Sequence, residues 1–274
     1  MKLIQAAILA ASTAFGAART VTVFNGCPFT MWPAMFTGVG AAPNHATGWE
    51  AAAFTSVSFT VPDNWQDGRI WGRRNCDFST NPGPNSCLDG GCNGGLVCDP
   101  VTGTVRCSPA TLAEFTLSNN PVILDNYDVS LVDGYNLPMS ITTNKGCPVA
   151  SCPVDLGPDC PAALKGPFDS TGFPVGCKSA CVANLDGNPG VFIFLHAPRL
   201  RTDYSWDFSS PNCCSGQFNT PATCPSSGVQ FYSYFKSNCP DSFVFAFDDS
   251  GGTPLKACAS TLAADYTVTF CPPA

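Results

Sequence analysis

The sequence predicts a mainly β protein: an antiparallel β-sandwich core domain with a disulfide-rich loop/helix lobe and a small hairpin lobe. Three observations predict it. Short alternating runs recur, "TVTVFN" at 20–25, "SVSFTV" at 56–61 and "YTVTF" at 266–270, and a period of two puts every second side chain on one face of a sheet. The chain carries 25 Gly and 25 Pro, which interrupt long helices and favour a sandwich. Its 17 Cys all follow the first strand signal, and their density belongs to a fold held by bridges.

Taken in order, residues 1–18 read as a signal peptide: Met1-Lys2 gives a positive start, "LIQAAILAASTAF" an apolar run short for a bilayer, and "GAA" a small-residue cleavage site before Arg19. The mature part is then expected at 19–274. Its first strand ends at Cys27 and its last at Cys271, so the termini are expected to be stapled together. In the second alternating run Val57, Phe59 and Val61 share a face. "NPGPNSCLDGGCNGG" at 81–95 predicts a small Cys-rich hairpin lobe, taken as 73–107. The sandwich core is assigned to about 19–72, 108–150 and 240–274. Between them, 151–239 is dense in Cys and poor in alternation, a lobe expected to rest on disulfides with at best one short helix at "CPAALKG", 160–166.

Charge narrows the partners. The net charge is −7, and Lys2 leaves with the signal peptide, so nucleic acid and anionic lipid, which need clustered Lys and Arg, are not expected partners. No later stretch offers the roughly 20 apolar residues of a spanning helix, so no membrane anchor is expected. Zinc is the alternative use of Cys87, Cys92, Cys98 or the Cys213-Cys214 pair, but no CxxC couple has a matching second couple, and neither metal nor cofactor is expected. His45 and His196 stand outside any HExxH-like motif and no GxSxG elbow is present.

Several segments together resemble the thaumatin-like protein family: "TVFNGCPFTMWPA", "GRIWGRRNC" at 68–76, "TLAEFTL" at 111–117, "YDVSLVDGYNLPM" at 127–139, the "CC" at 213–214, "FYSYFKSNCPDSF" at 231–243 and "YTVTFCP". The resemblance implies eight bridges: Cys27-Cys271, Cys76-Cys87, Cys92-Cys98, Cys147-Cys258, Cys152-Cys239, Cys160-Cys177, Cys181-Cys213 and Cys214-Cys224. Cys107 is left over, either a free thiol or a competitor of Cys98 for Cys92. Two departures stand out. Asp89-Gly90-Gly91-Cys92 replaces the family's Thr-Gly-Asp-Cys, and the segment 182–212, with "VFIFL" and Trp206, is far longer than in plant members and forms either a cleft wall or a self-packed hairpin.

The resemblance also implies an acidic cleft between the sandwich and the disulfide-rich lobe, with matching positions at Arg69, Glu114, Asp128, Asp133 and Asp241; Asp125 has no counterpart and is assigned to a loop. The chemistry follows from the residue types. Glycoside hydrolysis needs one protonated carboxyl to donate to the leaving oxygen and one ionised carboxylate to activate water or attack the sugar. Crowded carboxylates raise at least one pKa, and an arginine keeps a neighbour ionised. Glu114 is the candidate acid and Asp133 the candidate base or nucleophile; Asp128, Asp241 and Arg69 set charge and position. Parity opposes this: Asp128 and Asp133 are five apart and face opposite sides of a regular strand unless the Asp133-Gly134 turn intervenes, and that turn alone is a sufficient reason for the dipeptide. Tyr127, Tyr135, Tyr232, Tyr234 and Phe243 are candidates for stacking on sugar, against a role in the core.

The family binds β-1,3-glucan and some members hydrolyse it, so the expectation is a secreted endo-1,3-β-glucanase, extracellular or in the cell wall, monomeric, with β-1,3-glucan as partner and an acidic optimum. "VPDNWQDGRIWGRRNCDF" resembles fungal members, which points to wall remodelling. The alternative is a non-catalytic glucan-binding or membrane-perturbing defence protein.

Overall fold

The computed structural model describes residues 18–79, 82–105, 109–188, 209–251 and 254–273. Cys107, His196, Trp206, nearly all of the signal segment and most of the 182–212 insertion lie outside the described residues.

Two sheets face each other. The first orders its strands β10 (Ala150–Cys152), β9 (Met139–Thr143), β13 (Tyr266–Phe270), β1 (Arg19–Asn25) and β3 (Ser56–Val61). The second runs β11 (Ser242–Phe243), β8 (Leu124–Ser130), β7 (Leu112–Thr116), β4 (Gln66–Trp71) and β2 (Ala34–Val39), with β12 (Lys256–Ala259) also paired to β8. The pairing is antiparallel except at β1 with β13 and β11 with β8, which are parallel. The first and last strands thus lie side by side, Val23 opposite Val268, and Cys27–Cys271 closes them at a Cα separation of 5.0 Å.

Alternation builds the core. Val21 and Val23 of β1, Phe59 and Val61 of β3 and Val268 and Phe270 of β13 meet Ile70, Phe115, Tyr127 and Val129 of the second sheet. The ring of Tyr266 stands edge-on to Phe115 at 5.5 Å and to Tyr127 at 5.2 Å, an arrangement aromatic quadrupoles favour. Tyr127 and Tyr135 are therefore core residues rather than sugar platforms.

Asp125 is not in a loop. It lies in β8, fully buried on the core face, paired with Arg19 of β1 and accepting hydrogen bonds from the Tyr266 hydroxyl at 2.9 Å and the Ser118 N–H at 2.9 Å. A charge so deep persists only when paired and hydrogen-bonded.

The hairpin lobe is built on β5 (Arg74–Cys76) and β6 (Cys87–Asp89). It docks on the outer face of the second sheet through Trp71, Leu112, Cys92 and Cys98. Arg73 pins it there. Its buried guanidinium donates to the carbonyls of Trp32, Pro33, Gly95 and Leu96, and burial lowers its pKa to about 10. The disulfide-rich lobe holds one described α-helix, α1 (Tyr232–Asn238), whose Phe235 reaches the sandwich core. The helix expected at 160–166 is instead a single turn, closed by Leu164 and Lys165 N–H groups on the Pro161 carbonyl. Among the described residues eight disulfides form, with the pairing the family implies. No described helix is long and apolar enough to cross a membrane.

Candidate functional site: an acidic cleft on the outer sheet face

The strands that fill the core with one face carry the site on the other. In β7, Ala113 and Phe115 point inward, so Leu112 and Glu114 point outward; in β8, Tyr127 and Val129 point inward, so Asp128 and Ser130 point outward. Register then does the assembly. Arg69 of β4 stands opposite Glu114 of β7, and Glu114 stands opposite Asp128 of β8, one row across three strands. Directly opposed residues have Cβ atoms roughly 4.5–5.5 Å apart, so the row is in contact range throughout.

Asp133 reaches the same cavity by a turn. Its neighbour Gly134 has φ +94° and donates to the Leu131 carbonyl, and a Cβ there would lie 2.8 Å from the Cys177 carbonyl oxygen. Glycine at 134 thus answers the parity objection: the chain leaves β8, reverses, and returns the carboxylate to the outer face. Arg69, Leu112, Glu114, Asp128, Ser130, Val132, Asp133, Phe243 and Ala246 line one open cavity of about 220 Å³.

Asp241 is not brought to it. Its side chain is 47% exposed and accepts a 2.6 Å bond from Lys256 Nζ on β12, and it does not line the cavity. Of the aromatic candidates only Phe243 does; the Tyr232 hydroxyl donates to Asp248 and that of Tyr234 to the Leu156 carbonyl. Two participants escaped the sequence reading, Asp67 and Ser130. Asp67 Oδ1 lies 3.0 Å from the Arg69 guanidinium, its side chain crossing Gly38, where a Cβ would stand 1.7 Å from Oδ2. Each is two residues from a predicted site residue, and strand period alone would have placed it on the same face.

Electrostatics separate the three carboxyls. Arg69 Nε is 3.1 Å from Glu114 Oε1, a charge contact without hydrogen-bond alignment, since Nε has no hydrogen-bond partner. Burial raises the pKa of Glu114, Arg69 and a hydrogen bond with Ser130 oppose the rise, and Asp67 adds to it. Asp128 is held well above the usual carboxylate range by burial and then by Glu114, with Arg69 opposing. Burial, with Glu114 second, pushes Asp133 up to about 6. For Arg69 itself burial works against the charge, but Glu114, Asp67 and Asp133 outweigh it and its pKa is raised. At mildly acidic pH the cleft therefore offers a protonated carboxyl beside an ionised one, the condition for acid–base chemistry on an acetal.

A disulfide-stapled sandwich with two Cys-rich excursions and an acidic cleft on one outer sheet face defines the class. The chain belongs to the thaumatin family, whose profile matches residues 25–189 and 204–272. It is 38% identical over 280 residues to pathogenesis-related thaumatin-like protein 3.5 of Cryptomeria japonica, covering 99% of each chain. It is 37% identical over 262 residues to thaumatin-like protein 1 of Arabidopsis thaliana, covering 92% of this chain and 86% of that one. Its fold is shared with a laminaripentaose-producing β-1,3-glucanase of glycoside hydrolase family 64 from Paenibacillus barengoltzii, solved with laminarihexaose, at 11% identity and a TM-score of 0.52 over 94% of this chain and 75% of the other. The density of disulfides fits an extracellular protein.

Proposed function

We propose that the protein is a secreted endo-1,3-β-glucanase that binds β-1,3-glucan of cell walls in this cleft and hydrolyses it. The observation that carries the reading is the row Arg69–Glu114–Asp128 with Asp133 turned in beside it, three carboxyls of raised pKa around one arginine. The substrate class follows the glucanase that shares the fold. Glu114 delivers a proton to the glycosidic oxygen. Asp133, ionised above about pH 6, activates water or attacks the anomeric carbon. Arg69 limits repulsion among the carboxylates. Phe243 and Val132 give the sugar's apolar face a surface to rest on.

The test is a β-1,3-glucan hexamer incubated with purified protein, followed by its reducing ends. Wild type should release shorter oligomers, and Glu114→Gln and Asp133→Asn should each lower kcat by about 10²–10⁴. Unchanged rates in both variants would overturn the assignment of these residues. Binding without any product would favour a glucan-binding defence protein instead.

A further inference from the structure

We propose that Glu114 and Asp128 work as one proton-sharing pair, in which Asp128 holds the proton at rest and passes it across the strand pair to Glu114. Asp128 is thus a positioning residue for the acid of the hydrolytic reading, on which this inference rests.

The two carboxyls are directly opposed on β7 and β8, yet their surroundings differ. Glu114 has the cation: Arg69 Nε lies 3.1 Å from its Oε1, and Ser130 supplies a hydrogen bond, so its charged form is the better served. Asp128 has neither. It is 9% exposed, it lines the cavity, and its Oδ1 is buried without a hydrogen-bond partner. A buried carboxylate oxygen with no donor is costly, and protonation removes that cost by removing the charge. Two carboxyls at this range cannot both ionise readily, so one proton stays in the pair and rests on the member without a cation.

The other charged groups around the pair fit this assignment. From β4 come Arg69 and Asp67, which face Glu114; from the turn after β8 comes Asp133, which also senses Glu114. On the other side of β8, Lys256 of β12 is paired with Asp241, the residue before β11. Asp128 therefore has no cation in contact among the described groups and one anionic neighbour directly opposite. In turnover the proton moves from the Asp128 carboxyl to the Glu114 carboxylate, then from Glu114 to the leaving oxygen as the glycosidic bond breaks. Both carboxylates are left ionised, and the proton released by the attacking water restores the pair.

The sequence makes the test simple, because Glu50 and Glu114 are its only glutamates. Protein labelled with ¹³C at glutamate Cδ gives two carboxyl signals, and Glu50→Gln identifies the one to follow. In wild type the Glu114 signal should show, beside its own step and the one near pH 6 that Asp133 imposes, a further step at higher pH reporting Asp128. Asp128→Asn should abolish that highest step and should move the alkaline limb of kcat/KM toward acid by about one pH unit or more, a tenfold loss per unit at fixed pH above it. A wild-type titration without the highest step, or one whose highest step survives in Asp128→Asn, overturns the proposal; so does a kcat loss uniform across pH, the mark of a merely structural residue. The wild-type titration stands even where the variant fails to fold. The highest step in a protein that releases no sugar would uphold the shared proton and overturn hydrolysis.

Discussion

Replacing Asp125 by alanine should destabilise the protein by about 4 kcal/mol without touching the cleft. Asp125 is fully buried and Arg19 is 2% exposed, so the variant strands a guanidinium inside the sandwich, and breaking a buried pair from one side costs about 3–5 kcal/mol. The Ser118 N–H and the Tyr266 hydroxyl also lose their acceptor, at about 1–3 kcal/mol for each unsatisfied group. Offsets exist: Arg19 keeps the Ser118 carbonyl at 2.8 Å, the Ser260 carbonyl at 3.4 Å and Asp63 at 3.7 Å. Taken together these hold the net near the middle of the range. In a domain of this size each kcal/mol lowers Tm by roughly 2–4 °C, so the fall should be about 8–16 °C. Guanidinium unfolding with the disulfides intact measures it, beside Arg19→Met/Asp125→Leu, which removes both charges and should recover most of the loss. A change below about 1 kcal/mol in Asp125→Ala would mean that the residue is a solvated loop residue, as its lack of a family counterpart suggests.

Two further outcomes follow from the titrating groups. Asp89 is buried in the hairpin lobe and its pKa is pushed up to about 7, chiefly by burial; an acid that holds its proton more tightly folded than unfolded makes stability fall as pH rises from about 4 to about 7. Wild type should lose on the order of 4 kcal/mol across that window from this group, Asp89→Asn should flatten the slope, and urea midpoints at pH 4 and pH 8 measure the difference. Arg69→Gln removes the cation that opposes proton retention on Glu114, Asp128 and Asp133, so the acid limb of kcat/KM, set by ionisation of the Asp133 base, should move to higher pH. A limb that stays in place would show that Arg69 does not act on the base.

What was legible locally was periodicity. β1, β3 and β13 alternate as their sequences do, and the alternation around Glu114 and Asp128 places both carboxyls opposite the core face. What was not legible was the identity of distant partners. Asp125 is assigned to a loop because it has no counterpart in the resembling family, and nothing nearby announces that Arg19, 106 residues back, and Tyr266, 141 residues on, will close over it. Asp241 matches its motif equally well, yet Lys256 on β12 takes its carboxylate outside the cavity. "CPAALKG" at 160–166 offers at best one short helix, but the segment is confined between Cys160 and Cys177 and closes after one turn. α1 was missed because "YSYFKSN" is rich in strand-forming aromatics; docking of Phe235 into the core and the bridge from Cys152 to Cys239 at its end override that propensity.

The same strands serve core and cleft by turns, and this links the site to the bridges. Asp89, Glu114, Asp128 and Asp133 all have raised pKa values, so each withdraws stability as pH climbs past its unfolded value. In a sandwich with a weaker framework these groups would withdraw stability from mildly acidic pH upward, Asp133 completing its share at about pH 6, Asp89 at about pH 7 and Asp128 higher still. The bridges act in the opposite sense at every pH: Cys27–Cys271 spans 244 residues and Cys147–Cys258 spans 111, loops for which a crosslink stabilises by about 2–4 kcal/mol each. Cys147–Cys258 moreover joins β12, and through it β8, to the chain just after β9, so the strand that carries Asp128 is fixed by a covalent tie as well as by Arg19 and Asp125. Disulfide density and carboxyl crowding are in this sense one design: the crosslinks make tolerable a cleft whose proton-holding acids the fold alone would resist.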